Sequence, residues 1–158
     1  MFSSNIALFH VVCALVALLS GALVLLINKG TAKHKMVGYA YFSSMLLMNV
    51  SALFTQSLYT FGPFYWMALG SLATVCAGLA VPVFFRKNKN WLRLHYDFML
   101  WSYVGLIAAL FSEIIVRVPA ISNVVGGGLL FWLLVGFASI GTFTIGGRLI
   151  SSKRKMFV

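Results

Sequence analysis

The chain has 158 residues, 61% hydrophobic and 9% charged, with a net charge of +10. A soluble domain carries about 25% charged residues, so this composition excludes an ordinary soluble protein and describes a polytopic membrane protein. The basic residues stand in short clusters between apolar blocks, where they mark topology, so no nucleic-acid partner is expected.

Five apolar blocks follow one another: Ile6–Ile27, Val37–Leu58, Phe64–Phe85, Leu94–Val116 and Val124–Ile145. Each is about 22 residues, hence ~33 Å as a helix, enough to cross a bilayer core. The first block is not expected to be a cleavable signal: residues 1–5 carry no positive side chain, and the apolar run is too long. Asn28-Lys29-Gly30-Thr31 ends the first helix. Phe61-Gly62-Pro63 makes a turn, with Pro63 suited to the first position of the third helix. Pro82 is expected to kink that helix near its end. Arg86 to Asn90 forms a charged loop, and Val118-Pro119 closes the fourth helix. Ala14, Ala17 and Gly21, and again Gly70, Thr74 and Gly78, put small residues at helix-packing spacing. Cys13 and Cys76 lie in different blocks and read as small core residues.

The expected fold is therefore all-α: one transmembrane domain over residues 1–158, a five-helix bundle. Every Lys and Arg except Arg117 falls on one side of it. The positive-inside rule makes that side cytoplasmic, with the N-terminus outside and the C-terminus inside. Tyr59, Phe61, Phe64, Tyr65 and Trp66 supply an outer aromatic belt, and Trp91 and Tyr96 serve the inner surface. No internal repeat supports an inverted-repeat transporter.

Both acidic residues, Asp97 and Glu113, lie in the fourth block with His95 and Arg117. Ionisable groups in a span need partners or a polar interior, so they are candidates for function. A helix turns 100° per residue, which returns Glu113 to the azimuth of His95, with Ser102, Leu106 and Ala109 near the same line. The two ends of that stripe are ~27 Å apart and belong to two sites. The outer one groups Glu113 and Arg117, spaced as a helical ion pair, with His10 and Gln56 at matching depth. The inner one groups His34 and His95, each opening a helix at similar depth, as two imidazoles holding a b-type haem or a transition-metal ion would. Asp97 is ~160° from His95 around the helix and reads as structural, capping the helix start or pairing with loop Lys or Arg.

Common catalytic motifs do not occur. There is no HExxH and no Gly-x-Ser-x-Gly, and Gly126-Gly127-Gly128 lacks the Lys of a phosphate loop. Non-enzymatic roles therefore come first.

Several pieces together resemble a known family. They are His10 in the first helix, His34-Lys35-x-x-Gly38-x-x-Tyr41 opening the second, and His95-x-x-x-Met99-x-x-Ser102-Tyr103 opening the fourth, which runs on to Glu113-x-x-x-Arg117-x-Pro119. The pattern is similar to the bacterial multi-pass membrane proteins grouped as family DUF2306. That family often has Arg after the last His and before the Ser-Tyr pair; here Tyr96 and Trp101 stand there. The resemblance implies a small helical bundle in the bacterial inner membrane and no settled activity.

Three roles are expected to compete. The first is a haem- or metal-binding or accessory protein of a redox or respiratory system, with ligands among the histidines. The second is a proton- or small-solute-conducting bundle using Glu113 and His10. The third is a structural or assembly partner without a ligand. The bilayer is the expected surrounding, with a homo-oligomer or another membrane protein as candidate partner.

Overall fold

The computed structural model describes residues 2–54, 63–118 and 129–154. It is all-helical over those residues, with α1 (Phe2–Leu26), α2 (Ala32–Phe54), α3 (Pro63–Phe84), α4 (Trp91–Arg117) and α5 (Leu129–Arg154). All five are long and apolar enough to cross a membrane. The chain forms two compact units, Met1–Ser102 and Tyr103–Val158.

Within the first unit α1 packs on α2, and α2 on α3. The buried face of α1 is small: Cys13, Ala17, Ser20 and Gly21. Lipid tails are as apolar as leucine, so close backbone approach and dispersion carry this contact. The buried face of α2 is unusual for a span, because Tyr41, Ser44, Asn49 and Ser51 share it with Met45 and Met48. Three of these side chains bond their own helix: Ser44 Oγ donates to Ala40 O at 2.7 Å, Asn49 Nδ2 to Met45 O at 2.8 Å, and Ser51 Oγ to Met48 O at 2.8 Å. Such back-bonding hides a polar group from hydrocarbon without a second helix.

The α1–α2 connection is closed by local chemistry. Lys29 Nζ donates to the carbonyls of Val24, Leu25 and Ile27, which α1 leaves without helical donors. Gly30 takes the left-handed conformation at φ 80° that only glycine adopts cheaply. Thr31 Oγ1 accepts the His34 N–H at 3.2 Å, an N-cap bond. That cap starts α2 at Ala32, ahead of the expected Val37, and takes Lys33, His34 and Lys35 into its first turn.

Other boundaries shift for similar reasons. α4 starts at Trp91 and not Leu94, after a turn in which Asn88 Oδ1 accepts the Asn90 N–H at 2.9 Å. Arg86 lies over the Trp91 ring, 5.7 Å from its centroid, beside this turn. α5 continues to Arg154, well past the expected end at Ile145. Glycine usually reads as a stop, but Gly146 is where α5 meets α4 within the second unit. A Cβ there would sit 2.5 Å from Val104 Cγ2. The glycine therefore serves close packing and the helix runs through it.

Candidate functional site

The inner site lies in the first unit. His34 is the third residue of α2 and His95 the fifth of α4. His34 lies within electrostatic range of both His95 and Lys29. Its Nδ1 is buried and has no hydrogen-bond partner among the described residues. His95 is held differently, its Nδ1 lying 2.6 Å from the carbonyl oxygen of Gly78 in α3. A carbonyl only accepts, so the proton is on Nδ1. In the neutral ring the lone pair is then on Nε2.

The sequence of α3 explains why Gly78 O is available. In an α-helix its donor is the N–H four residues on, and that residue is Pro82. Pro82 lies inside α3 and leaves Gly78 O without its helical donor, and an imidazole from α4 takes that place. An unsatisfied backbone group in hydrocarbon costs several kcal/mol, which gives this replacement weight. Gly78 also admits α4 sterically: a Cβ there would lie 2.6 Å from Met99 Sδ and 3.4 Å from Phe98 Cβ. Gly70, in the same small-residue stripe, has nothing within 4 Å. The stripe is therefore not uniform, and Gly78 is its close contact within this unit.

Two turns beyond His95, the Tyr41 hydroxyl of α2 lies 2.8 Å from Ser102 Oγ. Ser102 donates its own proton to Met99 O at 2.8 Å, so Tyr41 donates to Ser102. Both side chains are fully buried. His95, Met99 and Ser102 on α4 thus meet Gly78 on α3 and Tyr41 on α2.

The outer set is only partly described. His10 Nδ1 is 3.0 Å from Met48 O and 3.1 Å from Ser51 Oγ. The Ser51 hydroxyl donates to Met48 O, so His10 donates to both, again as the Nδ1–H tautomer. Gln56 lies outside the described residues. Glu113 is half-buried on α4 in the second unit. Arg117 ends that helix. Asp97 is the seventh residue of α4, beyond a first turn that holds no acidic residue.

Sequence reasoning missed Gly78 O and the buried polar face of α2. The first had a signal, Gly-x-x-x-Pro within a span. The second showed as four polar residues, Tyr41, Ser44, Asn49 and Ser51, close together within one apolar block. Among the described residues no three His, Cys, Asp or Glu side chains gather as metal ligands would. Cys13 and Cys76 are both free thiols.

The molecule is thus a helical membrane protein, with five candidate spans among the described residues, in which a polar site joins α2, α3 and α4. The chain matches the family model described as "Predicted membrane protein (DUF2306)" over residues 7–150, and it belongs to that family. No curated protein and no solved structure matches it.

Proposed function

We infer that this is a bacterial inner-membrane protein, N-terminus outside and C-terminus cytoplasmic, in which His34 and His95 hold a b-type haem for a redox or respiratory system. The observation that carries this reading is the Nδ1–H of His95 fixed on Gly78 O. Ligating imidazoles ordinarily give their second ring nitrogen to a carbonyl or carboxylate, which orients the ring and raises its basicity. Two side chains suffice for haem, since the porphyrin supplies the other four nitrogens. A metal ion held by protein alone needs more ligands than the described residues bring together.

Absorbance of protein made with a haem precursor and purified in mild detergent tests this. A Soret band lost in both His34→Ala and His95→Asn is the expected result. A colourless wild-type protein after haem supplementation sinks the reading.

A second reading, conduction of protons or small solutes with Glu113 and His10, is favoured by the polar buried face of α2. Fully buried Met45 interrupts that face between Tyr41 and Asn49, which weighs against a continuous path. Vesicle flux that Glu113→Gln abolishes would favour it over haem binding. A homo-oligomer or a membrane-protein partner is compatible with either reading.

A further inference from the structure

We propose that Pro82 is a positioning residue for His95: by withholding a helical N–H from Gly78 O it keeps the neutral His95 ring as the Nδ1–H tautomer, with its lone pair on Nε2. Two pairs at i,i+4 spacing interlock. On α3, Gly78 offers the carbonyl and Pro82 empties it of its donor. On α4, His95 supplies the donor, and Met99 fills the space left by the missing Gly78 side chain. Any other residue at 82 would bring an N–H along the helix axis toward the same oxygen, and the imidazole would have to share it. The proline thus acts on a ring in another helix, through one oxygen atom.

The tautomer decides what His95 can do. With Nδ1 protonated, Nε2 of the neutral ring accepts a proton or ligates a metal; with Nε2 protonated, that edge only donates. The consequence for haem rests on the function proposed above, but the tautomer assignment does not, and the two fail separately.

Imidazole nitrogen-15 spectra of the full chain in lipid nanodiscs, without haem and at a pH where the ring is neutral, test the proposal. The chain has 3 histidines, and His34→Asn and His95→Asn assign their signals by subtraction. His95 of the wild type should be the Nδ1–H form. In Pro82→Ala the Nε2–H form of His95 should become the major one, while the His10 signal, on α1, stays unchanged. Pro82→Gly also restores the N–H and substitutes if the alanine variant does not fold. A wild-type ring protonated on Nε2 overturns the proposal by itself. So does an unchanged His95 signal in a folded Pro82 variant. If the tautomer shifts as expected but no variant or wild type ever binds haem, the positioning role stands and the haem reading falls.

Discussion

At the scale of residues, His95 combines a structural bond and a site atom in one ring, and the two can be separated. Asparagine places an N–H near the position of imidazole Nδ1 and has nothing at Nε2. His95→Asn should therefore keep Gly78 O satisfied and the protein folded, with any ligand lost. His95→Ala should leave that carbonyl without a donor and cost about 1–3 kcal/mol, read as a lower unfolding midpoint in detergent. Equal midpoints for the two variants would show that the bond contributes nothing. Tyr41→Phe removes one buried hydroxyl bond, while Ser102 retains Met99 O as acceptor. Its expected cost is smaller, roughly 0.5–1.5 kcal/mol, because interhelical hydrogen bonds in membranes are modest. A measured loss well above that range would mean Tyr41 does more than this bond.

Among the elements, two glycines mark close approach, and their neighbours set different costs for filling them. At Gly78 the obstacle is the end of a flexible methionine; at Gly146 it is both branches of Val104. Valine in a helix has essentially one rotamer and cannot step aside. Gly146→Ala should thus destabilise by about 1–3 kcal/mol, more than Gly78→Ala, and Gly146→Ala with Val104→Ala should recover most of the loss. Thermal midpoints of the three variants decide it. These contacts also show what was legible beforehand. Five candidate spans could be read from apolar run length, since an apolar run of about 20 residues satisfies its own backbone in lipid as a helix. The ends could not: Thr31 capping and the run through Gly146 depend on single bonds and contacts that hydropathy averages away. His34 and His95 could be placed at one depth by counting residues. That Gly78 O would receive His95 required knowing which helices are neighbours.

For the whole molecule, the proposed orientation, with the N-terminal end outside and the C-terminal end cytoplasmic, rests on the positive-inside rule applied to the basic loops. Enzyme reporters joined at residue 1 and at residue 158 should be active in opposite compartments. A cytoplasmic signal from both would reject both the orientation and the odd span number. Much of the buried polarity is silent at this scale, because Ser20, Ser44, Ser102 and Ser112 each donate to a carbonyl of their own helix. Among the described residues, His10, Tyr41 and His95 do reach from helix to helix.

Those three bonds also have a timetable. His10 finds its partners 38 and 41 residues later in the chain, but Tyr41 must wait 61 residues for Ser102. At the pace of synthesis, ~5–20 residues per second, that is roughly 3–12 s during which α2 holds a hydroxyl with its final partner not yet made. A ribosome stalled before α4 should therefore leave α1 and α2 as a paired hairpin with an unfinished face, the stage at which an insertion factor has most to protect.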